Sequence, residues 1–217
     1  VVYTSSTAAV GSTPKGKKKS ESDWNQSARL PYTQAKTQSE KLAWEIAEKS
    51  GIDLRVINPT AVLGGGFDRP TPSIDFIEDA IRGKIPVSLK IPMSFVHVKD
   101  VAEAHRKAAE IEEANGRYIC APHVNMTLAD LFKKIKQIFP ETKAPQKALP
   151  NVLLPLAVFQ DWIGSKISKR DRRLTRDMVR GFFRGDASYD SSKAQNELEM
   201  DWIDFDTCVK DTVEAFL

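Results

Sequence analysis

Apolar residues recur at helical spacing in several stretches of this chain and gather into short β-rich runs in others. Val1–Thr4 is such a run and reads as a buried strand. From Pro31 to Ser50, Ala35, Leu42, Ala43, Ile46 and Ala47 form a stripe at three- and four-residue spacing. Pro31 suits the first turn of that helix, and Gly51 stops it. The strand Asp53–Asn58 follows at once, and helix, tight turn and apolar strand in that order mark an αβ unit. Pro59 cannot continue a ladder, so the chain leaves the sheet there and passes into the loop Gly64-Gly65-Gly66.

The second half repeats the alternation. A helix is expected over Pro72–Arg82, a strand over Ser94–Val98 and a helix over Lys99–Ala114. Asp100 stands at the start of that helix, and Val101, Ala104, Ala108 and Ile111 lie on one face. Arg117–Ala121 is a further strand, with Cys120 in the core. Thr127 caps a helix running to about Phe139, and Asp130 completes an acidic capping box. Leu149–Ile163 is mostly apolar, Arg170–Phe183 is expected to be a cationic helix, and Ser192–Leu198 and Phe205–Leu217 are the last helices. Gly11–Arg29 is polar and reads as a surface loop; its Lys15, Lys17, Lys18 and Lys19 are a solvated tip or a phosphate or nucleic-acid contact.

Composition excludes more than it selects. With 217 residues, 41% apolar and 28% charged, the chain is long enough for a core and too mixed for global disorder, collagen or coiled coil. The longest apolar stretch, Val152–Phe159, is broken by Pro155 and is too short to span a membrane. Two cysteines make no disulfide framework and no metal-ligand spacing, so a reducing compartment is the default. The net charge is +3, yet eight Lys/Arg and two Asp lie between Lys166 and Arg184, so the basicity is concentrated. That cluster reads as a solvated helix face, an arginine reaching an acidic substrate, or a nucleic-acid contact. The apolar segment before it reads as the lid of a substrate pocket or as a membrane-surface contact. The opening Val1-Val2-Tyr3, a strand with no lead-in, suggests the C-terminal part of a longer protein.

The candidate chemistry lies in Tyr32 and Lys36. On a helix these i and i+4 positions point the same way. An ammonium beside a phenol favours the phenolate, which suits a proton donor to a carbonyl oxygen near neutral pH. The bland alternative is a surface pair. Thr4-Ser5-Ser6 follows the first strand, where open α/β sheets place ligands; its serines otherwise serve only the turn.

The segments VVYTSS, YTQAK, LRVINPTAVLGGG, SFVHVKDVAEAH, GRYICAP and SYDSSKAQNEL, in this order, resemble the extended short-chain dehydrogenases/reductases. The likeness is to the NAD-dependent epimerase/dehydratase group and, within it, to a dihydroflavonol-4-reductase-like branch. It covers essentially the whole chain and implies an α/β fold: the latter part of a Rossmann-type parallel sheet with a small mixed C-terminal substrate lobe. Residues 1–63 would belong to the cofactor domain and 64–217 mainly to the substrate lobe, with 94–114 returning to the Rossmann core.

By resemblance, Tyr32 is the catalytic acid/base, and Lys36 binds the nicotinamide ribose and tunes Tyr32. Ser6 orients the substrate carbonyl, with Ser5 as the fallback. Pro59, Thr60, Ala61 and Val62 lie beside the nicotinamide ring. His97 and Asp100 are structural, Asp100 capping the next helix; His123 is a candidate to face the substrate cleft. The implied cofactor is NADP or NAD, with NADP slightly favoured, and no metal is implied. The expected partner is a small-molecule substrate, with no nucleic acid, no membrane, and a homodimer as an option; the expected compartment is the cytoplasm. The implied function is carbonyl reduction or alcohol oxidation. A sugar-nucleotide epimerase or dehydratase and a non-catalytic truncated relative are the alternatives. The family's Gly-x-x-Gly-x-x-Gly turn is absent from the 217 residues; about four βα units, on the order of 100 residues, would supply it.

Overall fold

In the computed structural model, residues 1–66, 72–167, 175–177, 179 and 185–217 are described. The first sheet is parallel, in the order β1 (Val2–Thr4), β2 (Arg55–Pro59) and β6 (Gly116–Cys120). Val2 pairs with Arg55 and Thr4 with Ile57; Arg55 pairs with Gly116 and Pro59 with Cys120. Strand β1 is an open edge: among the described residues it pairs only with β2. Parallel neighbours need a crossover, which α2 (Pro31–Ser50) supplies between β1 and β2. The expected bounds of α2 are those observed. Pro31 stands in its first turn, and Gly51, at φ 63°, returns its N–H to Ala47 O.

Side-chain alternation divides the layers. Ile57, Tyr118 and Cys120 face α4 (Val98–Glu110), packing with Ala104 and Ala108. The other face carries Tyr3 and Val56, which pack with Ala43, Trp44 and Ala47 of α2. A second sheet holds β3 (Ala61–Leu63), β5 (Pro92–His97) and β7 (His123–Thr127); β3 is parallel and β7 antiparallel to β5. A two-stranded pair, β4 (Ser88–Leu89) and β8 (Ala148–Leu149), completes the sheets. Around them lie α1 (Thr7–Val10), α3 (Pro72–Ile81), α5 (Leu128–Ile138), α6 (Leu154–Ile167), α7 (Ser192–Glu197) and α8 (Phe205–Glu214). The main core joins Phe95, Leu131, Phe132 and Ile135 to Cys208, Val209 and Val213 of α8.

Several expectations are corrected. Strands β3, β4, β7 and β8 and the one-turn α1 were not anticipated. The stripe on α2 is only partly its buried face: Ala47 is buried and Ala43 packs on the sheet, but Leu42 and Ile46 are 55% and 49% exposed, and Thr37 and Glu40 are buried instead. The polar face turns inward because a buried partner for Glu40 awaits it in β6. Asp100 is not the cap of α4. The cap is His97, whose Nδ1 accepts from Lys99 N at 3.1 Å, while Asp100 accepts from Ile203 N at 3.2 Å. The helix expected over Arg170–Phe183 and most of the basic cluster lie outside the described residues. No helix among the described residues is long and apolar enough to cross a membrane.

The capping box on α5 forms as expected. Thr127 Oγ1 accepts from Asp130 N at 3.2 Å, and Asp130 Oδ2 accepts from Thr127 N at 2.9 Å. Replacing Thr127 with Ala should cost about 1 kcal/mol of stability, read as a lowered urea midpoint at unchanged slope.

Candidate active site

Strand β1 delivers Ser5 and Ser6 to the carboxyl end of the parallel sheet. The two hydroxyls then part. Ser5 is buried on the α2 side, and its hydroxyl donates to Glu40 Oε2. Ser6 is half-buried and caps α1, its Oγ accepting from Ala8 N at 3.1 Å.

Helix α2 starts near that same end. Lys36, half-buried, donates from Nζ to the Thr4 carbonyl at 3.5 Å, so one turn of α2 reaches the end of β1. A turn earlier, Tyr32 stands 60% exposed, and among the described residues no hydrogen bond joins it to Lys36 or Ser6. Further down, Tyr3 Oη donates to Ser39 Oγ at 3.0 Å and holds the helix against β1.

Strand β2 ends beside β1. Pro59 is the last residue of its ladder, Thr60 is the link, and Ala61 already belongs to the second sheet. Thr60 N donates to Cys120 O at 3.2 Å, and Thr60 Oγ1 donates to Ser94 O at 2.8 Å, so the link is tied to both sheets. Thr60, Ala61 and Val62 are half-buried at this junction, Ala61 and Val62 packing against the two cores, whereas Pro59 is buried. Thr7 Oγ1, 3.4 Å from Pro59 O, brings α1 against the same turn.

Sequence reasoning missed the group that joins these segments. Glu40 is fully buried, two turns along α2 from Tyr32. Its Oε1 accepts from Arg117 Nε at 2.6 Å, and its Oε2 accepts from Asn58 Nδ2 at 2.8 Å as well as from Ser5. Arg117 is equally enclosed: its Nη1 donates to the carbonyls of Glu21 and Asp23, at 2.7 and 2.6 Å, and its guanidinium lies 4.1 Å from the Trp24 ring centroid. The signal was present in the spacing, because positions 32, 36 and 40 fall on one helix face.

The remaining candidates are structural. His97 is fully buried, with Nε2 3.2 Å from Asp211 Oδ2. His123 Nε2 lies 2.8 Å from Ile203 O, and the Cys208 thiol stands 3.7 Å from the same nitrogen. Burial pushes the Cys208 thiol up to about 12 and raises Cys120 too, so neither is a thiolate at neutral pH.

Burial also raises the Asp100 carboxyl, against the lowering effect of the Ile203 N–H and of His97 and His123 nearby. A raised carboxyl binds its proton more tightly in the folded chain than in the unfolded one. Its contribution to stability is therefore full below the ordinary aspartate value and is lost as pH rises through the folded value. Asp100→Asn should flatten that acid-side slope; urea midpoints followed from acidic to neutral pH measure it.

Comparison with known proteins now bears on these positions. Residues 1–121 match the family model described as the NAD dependent epimerase/dehydratase family. The chain belongs to that family. Among its relatives is an anthocyanidin reductase of Vitis vinifera, 34% identical over 125 residues, covering 52% of this chain and 36% of that one. Another is cinnamoyl-CoA reductase 1 of Petunia hybrida, 33% identical over 156 residues, covering 68% of this chain and 46% of that one. In fold the chain is similar to yeast methylglyoxal/isovaleraldehyde reductase Gre2, solved with NADPH. The TM-score is 0.71 at 22% identity, over 100% of this chain and 63% of that one. The chain thus spans less than half the length of those two curated relatives. The matched residues 1–121 include α2, which carries Tyr32 and Lys36, and the segments just after β1 and β2 that hold Ser6 and Thr60.

Proposed function

We propose that the whole protein is an NAD(P)-dependent oxidoreductase that reduces a carbonyl of a small molecule, or oxidises the corresponding alcohol, with Tyr32 as acid/base. The observation that carries this reading is the reach of Lys36 to the Thr4 carbonyl at the carboxyl end of β1. It brings the first turns of α2 to the crevice where open α/β sheets bind their ligands. Relatives named for anthocyanidin and cinnamoyl-CoA reduction support it as well.

The residues at the strand ends suit the nicotinamide–ribose half of the cofactor. Lys36 offers an ammonium for ribose hydroxyls, and Thr60, Ala61 and Val62 offer backbone groups where the chain changes sheets. The pyrophosphate turn is not among the 217 residues, so these groups hold one end of the cofactor only. A bound NAD(P)H supplies the hydride. Tyr32 Oη would pass its proton to the substrate oxygen, beside the ribose that Lys36 would hold one turn along α2. Ser6, whose neighbour Ser5 is committed to Glu40, is the hydroxyl left to orient that oxygen. NADP is favoured over NAD by analogy with the NADPH bound to Gre2.

We extend the reading to a cofactor-binding portion in residues 1–63 and a substrate lobe mainly in 64–217, with 94–114 returning to the first. Val96, Ala104 and Ala108 share one core cluster with Ile57, which supports that return. The exposed Leu42 and Ile46 of α2 support a homodimer, and the two buried free thiols suit a reducing compartment such as the cytoplasm. The test is net consumption of reduced cofactor by the whole protein with a panel of ketones and aldehydes. Stoichiometric consumption with alcohol product is expected. Isomerised sugar nucleotide with no net consumption would move the assignment to the epimerases.

A further inference from the structure

We infer that Glu40 is the positioning residue of this site: its carboxylate, clamped by Arg117, fixes how α2 lies on the strand ends and so where Tyr32 and Lys36 stand relative to Ser6. The inference rests on the reading of Tyr32 as the acid/base.

Each segment that carries a proposed site group is bonded to this one carboxylate or to its guanidinium. Ser5, which donates to Oε2, immediately precedes Ser6. Asn58, which donates to the same oxygen at 2.8 Å, immediately precedes Pro59, and its amide also donates to Ser6 O at 3.2 Å. Lys36 and Tyr32 lie one and two turns above Glu40 on α2. Arg117 arrives from β6 and ties the pair to the Glu21–Asp23 loop through two carbonyls.

Two features favour positioning over stability alone. A buried ion pair is a poor source of stability compared with apolar residues of the same volume, because both charges must leave water. What it supplies is direction: two carboxylate oxygens accept three donors, from β2, from β6 and from the residue that follows β1. The usual alternative is thin on this helix. The buried residues of α2 are Thr37, Glu40 and Ala47; Trp44, half-buried, packs against Tyr3 and Val56, while Leu42 and Ile46 face outward. Trp44 seats the helix on the sheet, and the directional bonds of Glu40 fix its rotation and register at the strand ends; a shift of about 1 Å in a reacting group is enough to cost on the order of a hundredfold in rate.

The test uses the whole protein and four variants: Glu40→Gln, Arg117→Lys, Tyr32→Phe, and Tyr32→Phe combined with Glu40→Gln. For each, kcat and KM are measured per folded molecule, with near-ultraviolet circular dichroism reporting the folded fraction at the assay temperature. Glu40→Gln should lose about a hundredfold in kcat, with a smaller rise in the KM for NADPH because Lys36 moves with the helix. Arg117→Lys keeps the charge but not the fork that reaches two carbonyls, and should fall between that and the parent. The double variant should be no slower than Tyr32→Phe alone, because misplacing a proton donor that is already gone has no further effect. Folded Glu40→Gln turning over at the parent rate, while Tyr32→Phe is inactive, overturns the positioning role and leaves the acid/base reading intact. If Glu40→Gln does not fold, the same comparison is made with Arg117→Lys, and a parental kcat there overturns it equally. Normal turnover by Tyr32→Phe defeats the acid/base reading itself and the inference with it.

Discussion

Tyr32→Phe in the whole protein should lower kcat by roughly a hundredfold to ten-thousandfold, the usual worth of a positioned acid/base. Nothing else should change much. The ring of Tyr32 stands exposed at the first turn of α2, so removing its hydroxyl opens no cavity and orphans no buried partner. Cofactor affinity should persist, since Lys36 and the backbone at Thr60–Val62 are untouched. The measurements are steady-state turnover and titration of NADPH against tryptophan fluorescence. Equal losses in turnover and binding would mean that the phenol holds the cofactor instead of serving the proton. Undiminished turnover would mean that the proton comes from elsewhere.

The largest stability effect should come from Arg117. Arg117→Met leaves the fully buried Glu40 carboxylate without its cation, and breaking one side of a buried pair costs about 3–5 kcal/mol. The two carbonyls of Glu21 and Asp23 lose their donor at the same time. The loss should shrink at low pH. An unpaired buried carboxyl binds its proton more tightly when folded than when unfolded, so acid restores part of what the substitution removed. Replacing both residues with Met should recover much of the stability, because an apolar pair has no charge to strand. Urea unfolding of the parent, the single variant and the double variant at two pH values measures all of this. A single variant as stable as the parent would mean that Glu40 is not held by charge.

What the sequence disclosed and what it hid divide along the range of the interactions. Helix α5 was legible because its determinants are local: Thr127 and Asp130 cap each other across three residues, and Leu128, Leu131, Phe132 and Ile135 mark its buried face. The bounds of α2 were legible for the same reason, from Pro31 and Gly51. Its orientation was not. The hydropathy of Leu42 and Ile46 pointed to one face, and the helix is turned away from it so that Glu40 meets Arg117, 77 residues on. Strand β3 escaped notice because it begins one residue after β2 ends, and only its partner β5 distinguishes it from an extension of the same run. Strand β7 carries a polar Asn125 at φ 60°, which masks its alternation. In the site, the four-residue interval between Tyr32 and Lys36 could be read directly, whereas the commitment of Ser5 to Glu40, which leaves Ser6 as the freer hydroxyl, required the packing of α2 on β1.

Strand β1 has a bearing on how the chain must be handled. Its outer rim offers a row of backbone donors and acceptors to any extended peptide that arrives. A βα unit docked there would bury that rim and extend the crevice floor beneath Tyr32 and Lys36. Expressed by itself at high concentration, the chain meets mostly copies of itself, and the same rim becomes a seed for precipitation.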